Sequence, residues 1–419
     1  MDVSIGLLFT AISSVVFFIS FINSNAGLSL LIASILISPE VKLFEIPDRT
    51  VAVRLSDLVI LFIFLGWLGR MAIQKSQDYF KKSPLNLPIM IFSLMLVFST
   101  LFGIYKGTVS PLRSLLFLFK RLQYFFIFFI VLNNTKTLKQ IRVSIAFILL
   151  STLVIDMVGY YQRLKGLSSV YGTFGNIGQS NVLGGYFMTA LFLSIGLLFA
   201  YRWRIKILIL LLILLTFINL LFTTSRGSNF SFAAAFIITG LLIRRFKLVF
   251  IFIILACLFI LSLPLLPKDL AFGVTSSVRI LPGQEDPSWS ARLYAWDLYL
   301  PRFYNNPFFG YGLSSLPLGF VDNQYVMELL DTGMVGLFGL LWLFWKIFKS
   351  LYSFYRNNKD LYARSLAFGV LGGFIAMLIH ALTITNFYTI RLMETFWFLL
   401  GITMAYALIL GQHNYEQNQ

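Results

Sequence analysis

The sequence has one cysteine, Cys257, and two histidines, His380 and His413. A single thiol builds neither a disulfide framework nor a cysteine metal site, and two histidines do not make a histidine-rich metal centre. Charge is also scarce: 12% of the 419 residues are Asp, Glu, Lys or Arg, against about 25% in an ordinary soluble domain. The alternating ten-residue strands of an outer-membrane barrel are missing, which excludes that class. The opening "MDVSIGLLFTAISS" lacks the basic n-region of a cleaved signal peptide and reads as the start of a first span.

Apolar side chains are what the chain has in excess, 58% of it. They fall in blocks of about 20, each long enough to cross a hydrocarbon core of ~30 Å as a helix. The expectation is an all-α polytopic membrane protein of about 12–13 transmembrane helices. The spans are read at 4–22, 26–38, 55–73, 86–105, 111–132, 142–161, 181–201, 205–223, 228–243, 247–266, 324–348, 364–383 and 392–410, the second being short. Residues 267–322 form the longest interruption, a large loop with short helices. They separate an N-terminal bundle (1–266) from C-terminal helices and a short cytoplasmic tail (323–419).

A net charge of +16 in such a chain points to anionic lipid rather than nucleic acid. "QKSQDYFKK" (74–82), "KTLKQIR" (136–142), "YRWRIK" (201–206), "RRFK" (244–247) and "KIFKSLYSFYRNNK" (346–359) all fall on one side of the spans. Lys and Arg mark the cytoplasmic side. Residues 39–54, 106–110, 163–180, 224–227, 267–322 and 384–391 are then expected outside.

Ionisable groups in or beside spans are costly and tend to face a bundle interior or a watery cavity. Here they are Lys120 and Arg121 in mid-span, Asp156 near an outer end, Arg226 in "TTSRGSNF", and Arg391 with Glu394 at the start of the last span. In the large loop Arg292 lies on a helix, with Trp289 and Trp296 on its face. Each has a plain alternative. Arg226 would serve as an interfacial anchor, Lys120 would snorkel, and Arg292 would sit on a helix lying along the bilayer. Asp156 would pair with a nearby basic group, and Arg391 with Glu394. Against these stands convergence: Arg121, Arg226 and Arg292, joined by Arg163, Lys165 and Arg391, would line one outward cavity. Guanidinium forks match phosphate oxygens, and a lipid-linked diphosphate is an anion found at that depth.

Three stretches resemble the O-antigen ligase/polymerase superfamily. The first is "YGTFGNIGQSNVLGGYF" (171–187), like the segment that opens a span with an asparagine, here Asn181. The second is the Ser-Arg-Gly of "TTSRGSNF" (223–230). The third is "ARLYAWDLYLPRFYNNPFFGYGLSSLP" (291–317), followed by "VDNQYVMELLDTGMVGL" (321–337). Their order and spacing agree with the family over roughly residues 40–410.

The resemblance implies a fold like that of membrane C-type glycosyltransferases, and transfer of glycans from undecaprenyl diphosphate on the outer face of the bacterial cytoplasmic membrane. It implies work without a metal or other cofactor, and with a chain-length regulator and a flippase as partners. Ligases of this family carry a histidine near "VDNQY", where Asp322 and Asn323 stand here. That departure favours a polymerase of O-antigen, exopolysaccharide or capsule over a ligase onto lipid A core. A lipid-linked oligosaccharide flippase is the reading from another class, but the chain shows no internal repeat of the kind common in transporters.

On this reading Arg226 and Arg292 hold the diphosphate, Arg121 is a weaker third, and Asp322 orients or deprotonates the acceptor hydroxyl. His380 and Asp156 are the alternative bases. Asn181 and Asn323 are further site residues, and Gly310 and Gly312 shape "NPFFGYG" over the site.

Overall fold

A computed structural model describes residues 14–23, 26–31, 40–46, 49–74, 81–173, 180–262, 287–316 and 321–416. The described residues are helical, with one hairpin. Strands β1 (Glu40–Ile46) and β2 (Arg49–Arg54) pair antiparallel, from Glu40 opposite Arg54 to Ile46 opposite Arg49, with a register irregularity between Lys42 and Phe44. The hairpin falls within residues 39–54, a stretch expected between spans on the outer side. The helices that follow are α1 (Leu55–Gln74), α2 (Asn86–Tyr105), α3 (Pro111–Asn134), α4 (Leu138–Leu164), α5 (Ser180–Leu198), α6 (Trp203–Phe222), α7 (Arg226–Leu242), α8 (Phe246–Ser262) and α9 (Pro287–Tyr299). A 3-10 segment, η1 (Leu300–Asn305), precedes α10 (Gln324–Asn357), α11 (Leu361–His380), η2 (Asn386–Tyr388) and α12 (Ile390–Glu416).

Among the described residues nine helices are long and apolar enough to cross a membrane: α1 to α6 and α10 to α12. Helices α7 and α8, at 17 residues each, are shorter. The chain is a multi-pass membrane protein. The expected spans at 4–22 and 26–38 lie partly outside the described residues, which are helical at 14–22 and 26–31. Most expected ends hold to within four residues. The exceptions are α12, which runs six residues past 410 to Glu416, and α10, which continues through "KIFKSLYSFYRN" to Asn357. Its apolar period persists there: Ile347, Leu351, Phe354 and Tyr355 are buried, while Lys346 and Lys349 keep the other face polar.

The chain folds into two compact units that interleave along the sequence. The first takes residues 1–83, 119–151 and 393–419. Its core includes Trp397, edge-on to Phe125 with ring centroids 4.9 Å apart. It buries a polar group as well. Lys120 pairs with Asp57, Gln123 Nε2 donates to Asp57 Oδ1 at 3.2 Å, and Ser56 Oγ donates to Glu394 Oε1 at 3.4 Å. Charges at this depth persist only when paired. Lys120 is thus an internal ion-pair partner rather than a snorkelling side chain.

The second unit takes residues 84–118 and 152–392. Its centre is the contact of α5 with α11, where small residues let two backbones close up. A Cβ added at Gly369 would stand 2.7 Å from Leu193 Cα. Helices α7 and α10 begin, and α11 ends, at one end of this unit. Gln324 N donates to Ala381 O at 2.8 Å, and Tyr325 OH to Leu378 O at 2.8 Å, tying the start of α10 to the end of α11.

Candidate active site

The "TTSRGSNF" turn is built to start a helix sharply. Thr224 takes φ +53, which turns the chain after α6. Ser225, extended at φ −80 and ψ 97, caps α7 by accepting from Ser228 N. This is the ordinary use of an N-cap hydroxyl. Arg226 is then the first residue of α7, half-buried, at the positive end of the helix dipole.

Behind it runs a buried chain of polar atoms. Ser225 Oγ is 2.8 Å from Ser228 Oγ, which is 3.0 Å from His380 Nε2. The Asn386 side chain lies against the imidazole, and the charge of Arg292 acts on it. Gly227 is needed by proximity: a Cβ there would meet Thr383 Oγ1 at 2.5 Å and His380 Cδ2 at 3.2 Å.

The large loop supplies the next pair. On α9, Arg292 Nη2 lies 3.7 Å from Asp322 Oδ2. Trp289 and Trp296 pack edge to face on the same helix, centroids 5.8 Å apart, and Trp296 rests on a core of Leu316, Val321, Met327 and Leu330. The helix therefore packs onto protein through Trp296 and Ala295, while Trp289 is 48% exposed. Burial pushes the Asp322 carboxyl above its ordinary value, and the Arg292 charge opposes the shift. Asn323 is the N-cap of α10, its Oδ1 accepting from Tyr325 N at 2.9 Å and Val326 N at 3.2 Å.

"NPFFGYG" docks into a break in α10. Gly333 has φ 67 and ψ −169 in the middle of that helix. The break frees backbone groups that the bundle must satisfy. Tyr311 N donates to Leu330 O at 3.0 Å and Gly312 N to Asp331 O at 2.9 Å. In return Met334 N donates to Pro307 O at 2.8 Å and Val335 N to Phe308 O at 3.2 Å. Gly310 and Gly312 take φ +67 and +93, left-handed values open to glycine, and a Cβ at Gly310 would meet the Asp331 carbonyl at 2.6 Å. Two more polar chains surround the break. Asp331 accepts from Ser315 Oγ and Tyr388 OH, both at 2.7 Å. Gln324 Nε2 donates to Glu328 Oε2 at 3.3 Å.

Of the residues singled out in the sequence, the second unit contains Arg226, Arg292, Asp322, Asn323, His380 and Arg391, grouped at the start of α7 and α10 and the end of α11. Arg391 Nη1 donates to Thr173 O. Asn181 lies in the first turn of α5. Asp156 is fully buried and is met by Thr216 Oγ1 at 2.7 Å and Asn219 Nδ2 at 2.9 Å, so neutral amide and hydroxyl donors hold it in place of the basic partner that was its plain alternative. Arg163 reaches back to Leu167 O at 2.8 Å and lies over the Phe222 ring. Arg121 is buried and belongs to the first unit. Part of the glycine-rich stretch before Asn181, residues 174–179, lies outside the described residues. Sequence reading missed Ser228, Asn386 and Asp331. Only the serine spacing of Ser225 and Ser228 carried a signal, that of an N-cap with its third residue.

Arginines at a helix N-terminus and beside a carboxylate can hold an anion and steer a proton acceptor toward it. Residues 208–341 match the family model described as O-antigen ligase. The matched segment includes Arg226, Arg292, Gly310, Gly312, Asp322 and Asn323. It supports the O-antigen ligase/polymerase superfamily and a glycan-transfer activity, without separating polymerases from ligases. No curated protein matches the chain.

Proposed function

We propose, from the premise that this chain is a member of the O-antigen ligase/polymerase superfamily, that it is a glycan polymerase. It joins lipid-diphosphate-linked repeat units on the outer face of the cytoplasmic membrane. The observation that carries the reading is the Arg292–Asp322 pair, 3.7 Å apart, at the place where the family's ligases carry a histidine.

The acceptor hydroxyl oxygen attacks the anomeric carbon of the donor sugar. The carbon–oxygen bond to the diphosphate breaks, and its electron pair leaves on the diphosphate. Arg226 and Arg292 stabilise that charge, as fixed cations in a low-dielectric cavity do. Asp322 orients the acceptor hydroxyl and takes its proton. The arginines fill the role a divalent metal plays elsewhere, so the transfer needs no metal and no nucleotide sugar.

The description of the matching family favours a second reading, a ligase delivering finished glycan to lipid A core or another acceptor. Arg226→Ala and Arg226→Lys, made separately in cells and followed by a gel of glycan chain length, test both. Loss of long chains at normal expression supports the polymerase. Unattached long polymer in the variants turns the assignment to a ligase. Normal attached polymer in both variants removes Arg226 from the site.

A further inference from the structure

At the other end of α7 and α11 from Arg226 and His380, the second unit holds a cavity of about 830 Å³. That is within the usual size of a small-molecule site. It is lined by Arg244, Arg245 and Lys247 from the α7–α8 turn, Arg364 from α11, and apolar residues that include Phe246 and Phe368. Among the described residues no aspartate or glutamate lines it. Asp360, close in sequence, is engaged as the N-cap of α11, accepting from Ala363 N at 2.6 Å.

Two features of this cavity are unexplained by folding alone. Arg364 lies over the Tyr355 ring, 5.2 Å from its centroid, and its Nε is buried with no hydrogen-bond partner among the described residues. A buried donor of this kind normally finds an acceptor. Arg244 takes φ +58, in the helix-ending position where glycine is usual. The closure is otherwise regular, with Arg244 N donating to Leu241 O at 3.0 Å and Arg245 N to Gly240 O at 2.8 Å. The chain thus keeps an arginine where its backbone would be easier with glycine, and that arginine lines the cavity.

We infer that this cavity binds the phosphate of an anionic glycerophospholipid, with the acyl chains leaving over the apolar wall. Four cations with no acid among them ask for an anion, and the guanidinium forks suit phosphate oxygens. Phenylalanines in the wall select an anion that carries hydrocarbon. Basic pockets between membrane helices take lipid headgroups in this manner. The "RRFK" and "YRWRIK" loops place this end on the side expected to be cytoplasmic, where anionic lipid is enriched.

The test is native mass spectrometry of the full chain in detergent with phosphatidylglycerol, with phosphatidylcholine, and with phosphatidylglycerol plus an equal concentration of inorganic phosphate. The expected result is retention of phosphatidylglycerol over phosphatidylcholine. Arg244→Gly and Arg364→Gln should each lower retention about fivefold, the effect of one basic residue near an anionic headgroup. Arg244→Gly relieves the left-handed backbone, so its melting temperature without lipid stays level or rises, and its loss of lipid cannot be laid to misfolding. Equal retention of the two lipids, or wild-type retention in both variants, overturns the site. Displacement of the lipid by inorganic phosphate reassigns it to a soluble anion and overturns the lipid assignment.

Discussion

Ser228 Oγ lies 3.0 Å from His380 Nε2, and this link fastens the turn that presents Arg226 to the end of α11. The serine is fully buried, and the same oxygen meets Ser225 Oγ. Removing it takes the hydroxyl partner from His380 Nε2 in a dry setting and leaves Ser225 Oγ with the Ser228 N–H. Ser228→Ala should cost about 1–3 kcal/mol of stability and lower glycan transfer by displacing Arg226. Thermal melting read alongside polymer length checks this; a wild-type melt would show that the link contributes nothing to the fold.

The fit around Gly227 is close enough to be probed by a pair of substitutions. Gly227→Ala drives a methyl group onto Thr383 Oγ1 and the His380 ring, an overpacking expected to cost about 1–3 kcal/mol. Thr383→Gly in the same chain removes the first of these neighbours. The double variant should recover part of the loss, a coupling that only contacting residues show. Strict additivity in a double-mutant cycle would put the two residues out of contact.

Gly333→Ala should be more damaging than either. The residue holds φ 67 and ψ −169, a backbone region all but confined to glycine and costing about 1–3 kcal/mol for other residues, and its Cβ would press on Phe308 O and the next amide. Neither neighbour is a flexible side chain. The loop 306–312 should lose its seat, seen as faster proteolysis within 287–316 together with a lower melting temperature. Unchanged cleavage there would mean that the loop is held by something other than the α10 break.

The pH dependence follows from Asp322. Its carboxyl is raised by burial and lowered by Arg292, with burial the larger influence. In the proposed role of proton acceptor it must be ionised, so transfer should fall as pH drops through a value above the ordinary aspartate range. Arg292→Gln removes the opposing charge and should move that acid limb further up. Stability runs the other way. A carboxyl raised on folding binds its proton more tightly in the folded chain, so its contribution is present at low pH and is lost as pH rises through the raised value. Asp322→Asn should therefore keep or slightly raise the melting temperature at neutral pH while transfer collapses. Full transfer in Asp322→Asn would move the base to another group.

Metal dependence gives a separate check. Transfer from purified lipid-linked repeat should continue undiminished in a chelator. A loss restored by magnesium would show that the arginines do not carry the diphosphate charge by themselves.

The spans were legible because hydrocarbon demands long apolar helices, and "NLPIMIFSLMLVFSTLFGIY" supports no other reading. The end of α10 was not, because "KIFKSLYSFYRN" carries enough charge to look like a loop while its apolar period continues beneath. Arg226, Arg292 and Asp322 stood out as charges beside apolar runs. His380 could be named but not its partner, since Ser228 lies 152 positions away and only packing of α7 on α11 joins them. The break at Gly333 was hidden for a similar reason. "DTGMVGL" reads as ordinary small-residue helix, and what fixes its shape is a loop more than twenty residues upstream.

That break also limits how the protein can be rebuilt. Four backbone bonds cross between 307–312 and 330–335, so neither segment is complete alone. A chimera that borrows the loop from a relative but keeps its own α10 would strand amides and carbonyls inside the bundle. The two stretches form one cassette, and an exchange between related chains has to carry both or neither.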